Sequence, residues 1–441
     1  MTANADEESG GGRARQALWL YLAISMAISL AAMVAFNWPA RHTSVFALSN
    51  FVGPTALTML HGRGLTVCSE GLGTLGNPIC FHAARMPVPS AVIALGAALL
   101  GDDYMRVGLF KMLLMLVPLE MAAILALRRM PSAGRRRIGY GAVLLLPFLT
   151  TVFLADVVNL QVEEGYTYSL LALATAMVMF RPEGRTSWRR AMVFAVTTAG
   201  LYLAKSSMAP AVAVLTIAFL WPMRRQGTRM IATVAVVMAA AVGWAMWQHH
   251  AAGRYTFGTS IDGVNLHKGN DEIFLAHYPP RPGETLDIYD PALNHGLFFP
   301  NEWSFNDYHQ RAAMLFIRTH PGATAEGAWR KLEVVLLSVR KLGSKPRTGW
   351  MEAVESGGVV LFRLMFWAAL VVAGWLLLRA PGDERRYAAG TFPLLVGAVA
   401  LPYVVGFAYT RHVSVLLFPA ALLLCRALAE PVTKRPLQQR D

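Results

Sequence analysis

Long apolar stretches recur along this chain, at least nine of them, and the short loops between them carry arginine in strict alternation. Every second short loop is loaded: Arg128, Arg129 and Arg135 to Arg137; Arg181, Arg185, Arg189 and Arg190; Arg224, Arg225 and Arg229; Arg379, Arg385 and Arg386. The loops between hold Asp156, Glu163 and Glu164 in one case, Lys205 in another and Arg411 in a third. Apolar runs of this length and number are those of membrane-spanning helices, which satisfy their own backbone hydrogen bonds in lipid. Arginine-rich loops stay in the cytoplasm, so the arginine-poor loops face outward. Lys205 and Arg411 then stand on the side where topology does not call for a cation.

Composition agrees. A hydrophobic fraction of 55%, 15% charged residues and a mean hydropathy of +0.41 belong to a polytopic membrane protein. The net charge of +13 does not argue for nucleic acid, because the cations alternate with apolar runs and form no single stripe. Topology and anionic headgroups account for them.

The expected fold is an all-α polytopic membrane protein of about ten transmembrane helices, with both termini cytoplasmic. Residues 1–12 read as a disordered tail, 13–248 as an N-terminal transmembrane module with a first periplasmic loop over 37–103, 249–357 as a periplasmic segment with amphipathic helices, and 358–441 as the C-terminal transmembrane helices. The expected spans are Gln16–Phe36, Met105–Leu127, Ile138–Ala155, Gly165–Phe180, Ala191–Ala204, Met208–Met223, Met230–Gln248, Val359–Leu378, Ala388–Ala408 and Val413–Ala429. The fifth and sixth are hinged at Lys205, Ser206, Ser207 and Pro210. Val88–Leu100 is short for a span and reads as a half-buried or interfacial helix. In the outer segment a helix over Glu302–Thr319 should stop at His320-Pro321. The next helix carries Trp329, Leu332, Leu336 and Val339 on one face with Arg330, Lys331, Arg340 and Lys341 around it, a pattern suited to lying on the bilayer.

No P-loop, dinucleotide fingerprint, GxSxG, His-Glu-x-x-His or Cys-x-x-Cys occurs. His249-His250, at a helix end, reads as interfacial and not as a metal site. Two constellations remain. Asp156, Glu163 and Glu164 share one outward turn, where a carboxylate at a membrane edge is exposed, paired or functional. Arg85, Lys205, Arg411 and His412 lie in outward loops, and converging cations would recognise an anion such as a lipid phosphate; snorkelling to headgroups is the other reading. Cys68 and Cys80 share the first outward loop, where they are expected to be bridged, free thiols being the alternative; Cys425 reads as a buried small hydrophobe.

Four local patterns resemble the GT-C glycosyltransferases, in particular the branch of protein O-mannosyltransferases, the lipid A aminoarabinose transferase and RgtA-type bacterial enzymes. The first is Ala56-Leu57-Thr58-Met59-Leu60-His61-Gly62-Arg63-Gly64 followed by Arg85-Met86-Pro87-Val88-Pro89-Ser90. The second is Glu163-Glu164-Gly165-Tyr166, opening a span. The third runs Gly263-Val264-Asn265-Leu266-His267-Lys268-Gly269-Asn270, then His320-Pro321 and Lys331, and the fourth is Arg411 with Pro419. One departure stands out: an aspartate is usual just after the first helix, and here Ser49-Asn50-Phe51 occupies that neighbourhood. Asparagine is a poor general base.

The resemblance implies an enzyme that moves a sugar, with inversion, from a polyprenyl-phosphate carrier to a glycan, lipid or protein acceptor at the periplasmic face. It implies a bacterial inner-membrane location and no cofactor, and leaves a divalent metal open; no nucleic-acid partner is expected from the charge pattern above. Expected catalytic positions are Glu163, Glu164, Asp156 and Asn50; expected donor or lipid-phosphate ligands are Arg85, Lys205, Arg411, His412, Asn265, Lys268, Asn270 and Lys331. The alternatives are a lipid-linked glycan transporter or flippase, and a non-catalytic paralogue that partners an active enzyme. Glu120, near the cytoplasmic end of the second helix, is the only deeply placed acid that a transporter could use.

Overall fold

The computed structural model describes residues 3–47, 51–74, 77–129, 141–147, 160, 163–181, 185–279, 297–338, 349–379 and 383–428. Among the described residues, seven helical stretches are long and apolar enough to cross a membrane: Leu18–Ala40, Tyr104–Arg128, Ser206–Met223, Gly227–Ala252, Glu352–Arg379, Arg386–Val405 and Thr410–Leu428. Two shorter helices, Glu164–Met179 and Trp188–Ala204, coincide with the expected fourth and fifth spans. The expected third span lies mostly outside the described residues, with 141–147 helical. Pro87–Leu100 is a separate helix of 14 residues, as its length implied.

Glu164–Met179 is the centre of the bundle. Of its 16 residues only Leu170 escapes full burial, as befits a helix that is apolar on every side. Tyr104–Arg128, Trp188–Ala204 and Leu417–Leu428 pack around it. Ser25 Oγ of the first helix donates to Glu120 of Tyr104–Arg128, so this acid ties two neighbouring helices together. Tyr104–Arg128 and Glu164–Met179 end, and Trp188–Ala204 begins, at the arginine-bearing loops. The other ends meet: Glu164 starts its helix, Ala204 finishes its own, and Gly406 to Tyr409 separate Asp383–Val405 from the last span, whose first turn carries Arg411.

Two departures from expectation concern the ends and loops. The first helix begins at Ala3, where a disordered tail was expected over 1–12. Once a helix is nucleated, each added residue gains a hydrogen bond, so a long apolar helix propagates into weakly predisposed sequence. The first outer loop also contains an antiparallel hairpin, Val67–Thr74 with Asn77–Phe81, in a fold otherwise built from helices. Cys68 and Cys80 stand opposite each other in it and are disulfide-bonded. Gly62 and Gly64 both have positive φ, which lets the chain turn from helix Val52–Leu60 into the hairpin at no steric cost.

The outer segment docks onto this loop. Ile79 and Phe81 of the hairpin pack with Ile261, Val264, Phe299 and Phe305. Helix Glu302–Thr319 starts with a capping box on Asn301 and ends at His320, where Pro321 opens the next helix, Pro321–Leu337.

Candidate active site

Four chain segments are held together at the end of the bundle away from the arginine loops. The Glu302 carboxylate accepts the backbone N–H groups of His82 (3.0 Å) and Ala83 (3.2 Å), and the Ala83 carbonyl accepts from the N–H of Ser260 (2.8 Å). Arg85, two residues on, is thereby fixed against the outer segment. Lys205 is an extended residue (φ −161°, ψ 117°) between Ala204 and the short turn Ser206–Met208, with Pro210 opening the following helix. The break turns its side chain inward. Arg411 and His412 enter from the one-turn helix Thr410–Ser414.

These segments enclose a cavity of about 670 Å³. On one wall Glu164, 2% exposed, is ringed by cationic or potentially cationic groups: Lys205 Nζ at 2.7 Å, Arg411 Nε at 3.6 Å and His412 Nε2 at 3.7 Å, all to Oε1. Glu163 pairs with Arg85 (3.2 Å) and lies 3.7 Å from Lys205. His412 stacks on Tyr403, ring centroids 4.1 Å apart, and its Nδ1 accepts the N–H of Tyr409. That bond puts the neutral ring's proton on Nε2, toward Glu164. Tyr403 is held in turn by Ser207, 2.9 Å between hydroxyls. Arg411 lies over the Tyr409 ring and Lys268 over Phe407, at 4.7 and 5.2 Å.

Asp262, Asn265 and Lys268 line the same cavity from the outer segment. Asp262 opens the helix Asp262–Lys268, and its oxygens accept from the N–H (2.8 Å) and the hydroxyl (2.6 Å) of Thr259. Its side chain is exposed to the cavity between buried neighbours, and desolvation by the surrounding protein raises its carboxyl above the ordinary range against the opposing pull of Thr259 and Arg85. Lining the cavity are four Lys and Arg cations, Arg85, Lys205, Lys268 and Arg411, against three carboxylates. The excess positive charge favours an anionic guest, and the buried Nε of Arg85 has no hydrogen-bond partner.

Two expected ligands are not in the lining. Asn270 is buried and donates to the carbonyls of Leu266 and Val405, both at 2.8 Å. Lys331, 1% exposed, faces inward from its helix and donates to the carbonyls of Gly269 and Gly406, both at 2.8 Å. The reason is close packing: a Cβ on Gly269 would fall 1.7 Å from the Gly406 oxygen. Backbones that approach so closely leave buried carbonyls in need of donors. Burial pulls the Lys331 ammonium down to about 8. On the same helix Trp329 and Leu337 remain exposed, consistent with contact to lipid. Asn50, Asp156 and Val339 to Lys341 lie outside the described residues.

Sequence reasoning did not single out Asp262. The available signal was an acid directly before Gly263-Val264-Asn265-Leu266, in a segment assigned to the outer side. Gly263 itself is a packing residue: its N–H donates to Asn306 Oδ1 (2.8 Å), and a Cβ there would lie 2.2 Å from the Asn306 carbonyl oxygen.

No protein-family model matches the sequence, and no curated protein matches it. Among solved structures the chain is similar to the oligosaccharyltransferase AglB of Archaeoglobus fulgidus in complex with an inhibitory peptide and a dolichol-phosphate, at 12% identity, 93% coverage of this chain, 50% of that chain and a TM-score of 0.44. It is also similar to ArnT of Cupriavidus metallidurans bound to undecaprenyl phosphate, at 14% identity, with 93% and 77% coverage and a TM-score of 0.40. The chain spans about half the length of the oligosaccharyltransferase.

Proposed function

We propose that this chain is an integral-membrane, inverting glycosyltransferase that moves a sugar from a polyprenyl-phosphate carrier to an acceptor hydroxyl at the outer face of a bacterial inner membrane. The observation that carries this reading is the convergence of Arg85, Lys205, Lys268 and Arg411 on one cavity at the end of the bundle away from the arginine loops. Such cations suit a phosphate that arrives in the outer leaflet on a lipid tail, with membrane lipid as its solvent.

In this scheme the acceptor oxygen attacks the anomeric carbon, the bond from that carbon to the carrier phosphate breaks, and the electron pair leaves with the phosphate. Arg85, Lys205 and Arg411 neutralise the charge that grows on the phosphate oxygens. Glu163 and Glu164 are already engaged by those cations, which suits them to holding the cations in place. Tyr403 and Tyr409 offer aromatic faces beside the site, and Asn265 a hydrogen-bonding amide, for the sugar. The scheme uses no cofactor.

The test is binding of undecaprenyl phosphate to purified protein, followed by its release from a panel of undecaprenyl-phosphate sugars. Arg85→Ala and Arg411→Ala should each weaken binding of undecaprenyl phosphate by about 1.5–3 kcal/mol, the scale of a charge-assisted hydrogen bond. Unchanged affinity in both would make them headgroup anchors. Tight binding with no release from any donor would favour a non-catalytic partner of an active enzyme.

A further inference from the structure

The cavity holds three carboxylates, and their surroundings divide them. Glu163 and Glu164 are paired with Arg85, Lys205 and Arg411. Asp262 has no Lys, Arg or His nitrogen within 4.0 Å among the described residues. Its hydrogen bonds come from a single neighbour, Thr259. Ile261 and Gly263 on either side are buried while Asp262 opens into the cavity.

The loop that carries it is held from several directions. Trp244 Nε1 and Gln248 Nε2 both donate to the Gly258 carbonyl (2.9 and 2.8 Å), and the Tyr202 hydroxyl donates to the carbonyl of Phe257. Gly258 also makes room for the acid: a Cβ there would lie 2.0 Å from Asp262 Oδ2. A carboxylate positioned this firmly and open to the substrate space, with Arg85 acting on it only from beyond ion-pair distance, has the surroundings of a general base. Desolvation by the surrounding protein raises its affinity for a proton, which suits that task.

We propose that Asp262 accepts the proton of the acceptor hydroxyl, the task left without an aspartate at Asn50. This role rests on the transferase reading. As the acceptor oxygen bonds to the anomeric carbon, its proton passes to a carboxylate oxygen of Asp262, and the bond from the anomeric carbon to the phosphate oxygen breaks, its electrons leaving with undecaprenyl phosphate. Arg85, Lys205 and Arg411 hold that leaving group, so base and leaving-group ligands line one cavity. Asp262 is thereby a catalytic residue, and Gly258 positions it.

The experiment follows release of undecaprenyl phosphate from undecaprenyl-phosphate-linked glucose, mannose, galactose and arabinose, with an envelope glycolipid extract as acceptor. Binding of undecaprenyl phosphate alone is measured beside it. Asp262→Asn should lower kcat by about 10²–10⁴-fold, the range for losing a general base. Its affinity for undecaprenyl phosphate should stay within about threefold of wild type, well below the roughly tenfold that 1.4 kcal/mol represents. The rise of kcat with pH through the Asp262 titration should disappear, Asp262→Glu should restore part of the rate, and Gly258→Ala should lower kcat with the carboxylate still present. Turnover of Asp262→Asn within about threefold of wild type, or a raised KM at unchanged kcat, would overturn the role and leave the transferase reading standing. Loss of carrier binding in parallel with turnover would overturn it too, by making Asp262 part of the phosphate site or of the fold. A wild type that releases no carrier from any of the four donors refutes the transferase reading, and the role of Asp262 with it.

Discussion

The Lys205–Glu164 pair is the element whose removal should be felt most. The two atoms are 2.7 Å apart, and their side chains are 15% and 2% exposed. At an effective dielectric of about 20 this attraction is about 6 kcal/mol, set against a desolvation cost of several kcal/mol for each ion. The net contribution is therefore modest, but breaking the pair from one side leaves a buried charge. Lys205→Met should destabilise by about 3 kcal/mol, the low end for a broken buried pair. The low end applies because Arg411 and His412 remain 3.6 and 3.7 Å from the same Glu164 oxygen. Glu164→Gln should cost a similar amount, since it strips Lys205, Arg411 and His412 of a shared counter-charge. The double variant should cost scarcely more than either single change, giving a coupling energy of at least about 2 kcal/mol. Unfolding of purified protein in mixed micelles titrated with sodium dodecyl sulfate reads all three values. Coupling below about 0.5 kcal/mol, with near-neutral single variants, is the behaviour of a solvated surface pair. It would refute the assignment of these residues to a secluded charge cluster.

The remaining expectations are briefer. Lys331 binds its proton less tightly when folded, about 8 against about 10.4 unfolded, so between those values the unfolded chain holds more protons and stability rises with pH. The rise should approach about 3 kcal/mol by pH 10.4 and be absent in Lys331→Met, as measured by unfolding at stepped pH. Cys68 and Cys80 should resist alkylation until reductant is added, read by intact mass, and opening the bridge should cost about 3 kcal/mol. Membrane-impermeant thiol reagent added from outside should label a cysteine placed at the exposed Glu326 and miss one at the exposed Arg225. The reverse pattern would invert the topology and move the cavity to the cytoplasmic face.

Much of the architecture is local information. Tyr104–Arg128 was foreseen as Met105–Leu127, and Glu302–Thr319 with its stop at His320-Pro321 was foreseen as it stands, because apolar length, caps and proline act within a few residues. The hinge at Lys205 followed from the arginine alternation, and the association of Arg85, Lys205 and Arg411 followed from topology, which sorts loops between two faces. The hairpin in the first outer loop and the start of the first helix at Ala3 were less legible, since short strands and helix propagation carry weak local signals. What the chain alone could not decide is which charges face one another. Lys205 meets Glu164 across 41 positions, and Asp262 joins that pair in one cavity through an outer segment that docks on the hairpin. Lys331 and Asn270 matched a motif equally well, yet the close approach of Gly269 to Gly406 turns both to backbone carbonyls. Helix rotation and backbone approach are set by packing summed over the whole bundle, so the apolar pattern determines where helices lie, and tertiary contact alone determines which polar side chains they present to the cavity.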